Sequence, residues 1–417
     1  MFSAGDTAWV LVSAALVLFM TPGLALFYGG MVRAKNVLAV MMQNFACMGI
    51  VTVLWAVAVF SIAFGPDAGG GVIGTLHLAG LANLGRALPG MRGLHVPPLA
   101  IMAFQMMFAI ITAALITGGL VDRVRFGGFL VFISLWLVLV YAPIAHWVFS
   151  PAGWLARRGV LDFAGGTVVE ITSGFSTLGA VLAIGRRRGW PGEAMTPHSV
   201  PLSLLGAGIL WFGWFGFNAG SALGANAVAT QAFVGTQLAA AAGLLGWLLV
   251  EKLTEKRPTT LGAVSGAVAG MVAITPCAGF VPSMPALGIG LAAGALCAFA
   301  VRLKFRLRYD DSLDVLGVHG IGGLVGMVLL GIFASRSVNP AGSNGLAFGG
   351  GFHLIGVELL ASAVVLVWSF GVTWALAKVV DRLIGLRVPV EVEIQGLDVA
   401  LHSESAYAVG GLGRVSQ

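Results

Sequence analysis

Charge is what this sequence has least of. Asp, Glu, Lys and Arg supply 10% of its 417 residues, against roughly 25% in soluble domains, which is too little to cover a water-facing surface. Cysteine is also scarce. Cys47, Cys277 and Cys297 stand far apart in or beside apolar segments, without the paired spacing that zinc, iron or a disulfide network requires. The start of the chain has neither a basic leader nor a small-residue cleavage site, so no removable signal peptide is predicted. No H-E-x-x-H, G-x-S-x-G elbow or metal-ligand cluster occurs, which argues against an intramembrane hydrolase, and neither an enzyme nor a cofactor is expected.

What is present in excess is hydrophobic residue, at 58%, and glycine, at 61 residues. The glycines follow no period of three and lie inside apolar runs, which excludes collagen and disorder. Small residues inside apolar runs suit membrane helices, whose backbones must approach closely to gain van der Waals contact. The net charge of +6 comes from short basic clusters between apolar stretches. Such clusters are orientation signals rather than a nucleic-acid surface.

A helix needs about 20 apolar residues to cross the hydrocarbon. Eleven stretches of that order occur, near 7–30, 37–64, 98–120, 126–149, 164–185, 199–221, 227–250, 260–276, 283–301, 315–334 and 354–380. One set of alternate loops, with the C-terminal tail, holds eighteen of the 23 basic residues, from Arg33 and Lys35 to Arg387 and Arg414. The other set holds Arg86, Arg92, Arg157, Arg158 and Arg336. The positive-inside rule then puts the N-terminus outside and the C-terminus inside. The expected fold is an all-α polytopic membrane protein of two inverted five-helix repeats, about 7–185 and 199–334, plus one extra helix that could act as an outer brace or oligomer contact. The echo between repeats is weak, because Asp162 precedes Glu170 by eight residues whereas Asp314 precedes His319 by five.

Ionisable residues inside spans are costly and are therefore functional candidates. Glu170 and His319 are either a structural pair locking two helices or a polar relay in an apolar pore. Asp162 and Asp314 precede their spans and are expected to cap them, with Asp162 also able to share in cation attraction. Glu358 is expected to face an oligomer partner or the interface. Phe104 and Phe108 share a helical face at i, i+4 spacing. The run Trp211-Phe212-Gly213-Trp214-Phe215-Gly216-Phe217 is dense in rings whose faces attract cations.

Several ordered stretches resemble the Amt/Mep/Rh ammonium transporter family along the whole chain. They are Asp6-Thr7-Ala8-Trp9, Thr21-Pro22-Gly23 through Asn36, Phe104-Gln105-Met106, Asp162-Phe163-Ala164-Gly165-Gly166-Thr167, Gly213-Trp214-Phe215-Gly216-Phe217-Asn218-Ala219-Gly220-Ser221 and Asp314-Val315-Leu316-Gly317-Val318-His319-Gly320. The opening and the tail look more like the Amt branch than a rhesus-type gas channel. The resemblance implies a homotrimer in the cell membrane, with one narrow pore per subunit. Its vestibule would comprise Phe104, Phe149 and Ser221 supported by Asp162, its gate would be Phe108 and Phe217, and its pore relay Glu170 and His319. An ammonium sensor of the same fold is the alternative.

Two departures from the family pattern stand out. Phe149 occupies a position that usually holds tryptophan, and Trp147 two residues earlier leaves that alignment open. Glu170 replaces the first histidine of a twin-histidine pair, as in a subset of fungal members. The division expected is a transporter domain at 1–385 and a cytoplasmic tail at 386–417. The tail resembles one that contacts neighbouring subunits and a PII-type nitrogen-regulatory protein, its other reading being a frayed terminus.

Overall fold

The computed structural model describes residues 1–407 apart from Arg86 and Arg92. Those two arginines, Arg414 and the rest of 408–417 lie outside the described residues. Helices dominate, and the described residues form only two isolated β-bridges. Each expected apolar stretch coincides with a helix: α1 Ala4–Met31, α2 Ala34–Phe64, α3 Pro98–Leu120, α4 Phe126–Phe149, α5 Gly166–Ile184, α6 Val200–Gly220, α7 Ala227–Thr254, α8 Thr260–Ile274, α9 Ser283–Leu307, α10 Leu316–Phe333 and α11 His353–Leu383. Ten are long and apolar enough to cross a membrane, and α8 is shorter. This is a multi-pass membrane protein.

Small residues decide how the helices meet. Gly30 of α1 lies against Ser199 and Ser203, Gly23 against Gly206 and Ile209, and Gly216 and Gly220 against Ser13, so α1 and α6 run antiparallel in close contact. The helices α5 and α10 do the same. A Cβ on Gly174 would stand 2.4 Å from the Gly320 backbone, and one on Gly323 would stand 3.0 Å from Glu170 and Ile171. Corresponding helices of the two halves thus meet with opposite direction, the relation that inverted repeats create. In the second half, Gly243 of α7 touches both Gly270 of α8 and Gly294 of α9, so the glycine excess is spent on backbone approach.

The starts of α5 and α10 correct the reading of the repeats. Both open in wide π-type turns, Gly166–Ile171 and Leu316–Gly320. At the first, Asp162 accepts bonds from the Gly165, Gly166 and Thr167 amides at 2.6–2.8 Å and from the Thr167 hydroxyl, as capping predicts. At the second, the cap is Asp311, which accepts from Leu316 N at 2.7 Å. Asp314 does not cap. It lies in the left-handed region, φ +63°, and pairs with Lys304 at 2.6 Å. Asp162 to Glu170 and Asp311 to His319 are therefore equal spacings of eight, and the mismatch came from equating Asp162 with the wrong aspartate.

Arg123 and Arg187 are also not simple loop charges. They are buried with Asp310, at 2.6 and 2.8 Å, and Arg187 reaches Asp122 at 3.3 Å. The tail is docked rather than frayed over its described part, with short helices Val390–Gln395 and Leu397–His402. Asp398 accepts from Leu38 N and Ala39 N at the start of α2, Asn36 accepts from Leu397 N, and Glu393 accepts from Arg188 N.

Candidate functional site

Between the antiparallel pairs runs a file of aromatic and apolar side chains. Phe104 and Phe108, one turn apart on α3, have ring centroids 4.9 Å apart in an edge contact. Phe108 stacks on Phe217 of α6 with centroids at 4.2 Å and an interplanar angle of 22°. All three rings are buried, and the stack leaves no gap between its faces.

Phe149, at the end of α4, meets Phe108 edge-on at 6.4 Å. Trp147 instead packs on Trp154 and Trp368 and donates its indole N–H to Val72 O, so Phe149 is the one of the two that meets Phe108. Ser221 sits where α6 ends, beside Gly220, whose Cβ position lies 2.9 Å from the Phe104 ring. Its hydroxyl donates to Phe217 O at 2.8 Å, so its oxygen lone pairs are left to accept.

Beyond the stack, Glu170 Oε2 and His319 Nδ1 lie 2.7 Å apart, joining α5 to α10 just where the helices cross. Both residues are buried. Two small cavities flank the imidazole. One, bounded by Phe217, Trp214, Leu115, Val169 and Glu170, offers about 10 Å³ to the centre of a water-sized sphere. The other, about 20 Å³, is bounded by Tyr28, Met31, Ser265 and Asp314. His319 is thus the one side chain common to both. Each is about the size that one water needs, and the imidazole borders both.

The other expected residues fall outside this line. Within the ring-rich run, Phe215 stacks on Phe233 at 4.2 Å and Phe212 is exposed on the outer face, leaving Trp214 and Phe217 to the lumen. Glu358 faces neither partner nor interface, being 1% exposed inside the chain's own packing. The sequence reading missed Asp311 and the Arg123–Asp310–Arg187–Asp122 cluster. The signal available was the pair Asp310-Asp311 itself, five residues ahead of α10 at an apolar boundary.

A membrane-embedded helical bundle with a buried ring stack and, beyond it, a carboxyl–imidazole pair bordered by two small cavities is the architecture of a transport protein for a very small solute. The chain belongs to the Ammonium Transporter Family, whose sequence pattern matches residues 8–407. It is 49% identical to an ammonium transporter of Mycobacterium tuberculosis over 97% of this chain and 90% of that one. Its fold is similar to the crystal structure of Saccharomyces cerevisiae Mep2, with a TM-score of 0.86, 36% identity and coverage of 94% and 88% of the two chains. A structure described as a sensor Amt protein is similar at a TM-score of 0.86 with 29% identity, covering 95% of this chain and 98% of that one.

Proposed function

We propose that this chain moves ammonium by recruiting the cation, removing a proton at the ring stack and passing ammonia along the lumen. Phe104, Phe149 and the free lone pairs of Ser221 form the recruiting vestibule, each aromatic face contributing ~0.5–2 kcal/mol to a desolvating cation. Asp162 adds a negative charge nearby while holding the start of α5. The phenyl face of Phe149 is a weaker cation partner than indole. Phe108 and Phe217 close the path to hydrated ions. Carrying bare ammonium through an apolar bore costs on the order of tens of kcal/mol in the idealised limit, and ammonia avoids most of this.

The observation that carries this reading is the 2.7 Å Glu170–His319 contact set between two single-molecule cavities behind a closed ring stack. With Nδ1 bonded to the carboxyl group, Nε2 is the nitrogen left for the lumen. If the proton shared with Glu170 sits on Nδ1, Nε2 accepts; if it sits on the carboxyl, Nε2 donates. As the Nδ1 proton passes to the carboxylate and Nε2 takes one from the lumen, the lumen-facing nitrogen changes from acceptor to donor and the pair gains one proton, and the reverse step returns it, which is what a relay requires.

We place the chain in the cell membrane with its N-terminus outside and C-terminus inside, on the loop-charge distribution, and assemble it as a homotrimer on the family likeness. Residues 1–385 form the transporter domain and 386–417 the regulatory tail. The docked tail at the α2 start gives a PII-type regulatory protein a surface whose occupation would be felt by the transmembrane helices. The second reading is an ammonium sensor, favoured by the similarity to the sensor Amt structure.

The decisive test is the transient current of proteoliposomes on a solid-supported membrane after an ammonium pulse, with an equal potassium pulse as control. A saturable ammonium current absent with potassium supports transport. Ammonium binding without current, and without ammonia flux, supports the sensor.

A further inference from the structure

The acid left unused by this mechanism is Glu358. It lies on α11, the helix outside both repeats, yet it points inward and is 1% exposed. Its Oε1 accepts a bond from Leu161 N at 2.8 Å, across 197 residues of sequence, and its Oε2 has no protein partner. Leu161 immediately precedes Asp162.

That single bond closes a set of three that fixes one turn. Phe163 N donates to Pro276 O at 3.2 Å, while Asp162 holds the amides of Gly165 to Thr167. Gly165, at φ +112°, then accepts from both Val169 N at 2.8 Å and Glu170 N at 3.1 Å, the wide turn that sets where Glu170 projects. Pro276 O and the Asp162 carboxylate hold the turn from its middle and its helical side. Glu358 holds its entry at Leu161, and a buried amide deprived of its acceptor is not left unpaired without cost.

We infer that Glu358 is a positioning residue for the pore: its carboxyl oxygen, acting as a hydrogen-bond acceptor for Leu161 N, sets the register of the α5 entry turn and thereby the placement of Glu170 against His319. The vestibule rings stand on α3 and α4, which pack on the start of α5, and Asp162 of this same turn supports the vestibule. Loss of the acceptor lowers the maximal rate by displacing Glu170 from His319.

The inference rests on the proposed transport, so its test carries one readout of transport and one that needs none. The variants are Glu358→Ala, Glu358→Asp, whose side chain is one methylene too short, and Glu358→Gln, which keeps the acceptor. Ammonium currents in proteoliposomes should fall about fivefold in maximal rate for alanine and aspartate, the size of one lost hydrogen bond, and glutamine should restore the wild-type rate. Amide hydrogen exchange of peptides spanning 161–171 should accelerate in the same two variants and not in glutamine. If alanine fails to assemble, the aspartate and glutamine pair decides.

Unchanged rates and exchange in all variants, a glutamine variant as impaired as aspartate, or an altered KM at unchanged rate would overturn the inference. A wild type without ammonium flux would overturn the transport reading alone, because the exchange readout still stands.

Discussion

At the residue scale, the site is built from groups whose spare bonding capacity is small and directional. Ser221 spends its proton on the Phe217 carbonyl, so Ser221→Ala removes one acceptor for an ammonium N–H. A hydrogen bond to a charged group contributes about 1.5–3 kcal/mol, so KM should rise about tenfold or more with little change in maximal rate, read from current against ammonium concentration. Glu170 is the residue at which this chain departs from a twin-histidine pore. Replacing it by histidine removes an acid that can hold a negative charge beside His319. The expected outcome is a shifted pH optimum of the current and a stronger preference for ammonium over potassium. Unchanged values of both would refute a charge role for Glu170.

At the element scale, the crossing of α5 and α10 and the two aspartate caps hold the Glu170–His319 pair. A Cβ on Gly174 would clash with the Gly320 backbone, whereas Gly49 on α2 has open space. Overpacking costs about 1–3 kcal/mol or more, so Gly174→Ala should lower the melting temperature in detergent and Gly49→Ala should not. Asp311 is pushed up to about 6, chiefly by burial and next by the neighbouring Asp314 carboxylate. An acid raised on folding takes up a proton in the native state first. Native stability therefore falls as pH rises through roughly 4 to 6. Asp311→Asn keeps an oxygen for Leu316 N and removes that slope, visible as a flatter melting temperature against pH than wild type over the same window.

For the whole molecule, the buried charge cluster ties the loops after α3 and α5 to the chain before α10. Burial opposes the charge of Asp310, but the bonds from Arg187 and the charge of Arg123 outweigh it and hold its carboxyl below the usual range. Its contribution to stability is present near neutrality and lost as pH falls through that lowered value. Removing one member of a buried ion pair typically costs 3–5 kcal/mol. Arg187→Met should therefore destabilise the protein severely in thermal melting, while Arg306→Ser, at an exposed position, should be near neutral. The tail joins this cluster through Asn36, which bonds both Leu397 N and Asp122. Asp398→Ala should free the tail, seen as faster hydrogen exchange over 390–402, and cost about 0.5–2 kcal/mol as a lost cap of α2.

The sequence by itself determined the class of molecule and the helices. Apolar length is a local property, so the eleven stretches and most of their ends could be read directly, and the i, i+4 spacing of Phe104 and Phe108 already put two rings on one face. It also pointed to Glu170 and His319, because an ionisable group in an apolar run is conspicuous. What only the tertiary structure decided were the relations between distant segments. Phe149 rather than Trp147 meets the Phe108–Phe217 stack because the end of α4 turns one ring towards Phe108 and the other towards Trp368. Asp311 rather than Asp314 mirrors Asp162, because capping depends on which carboxylate reaches free amides, and a backbone turn at φ +63° aims Asp314 at Lys304 instead. Glu358 read as facing an oligomer partner or the interface, and the arginines of the buried cluster read as loop charges, because their partners lie 65 to 197 residues away. Burial of a charge depends on those partners, and pairwise contact at that separation leaves no periodic trace in the chain.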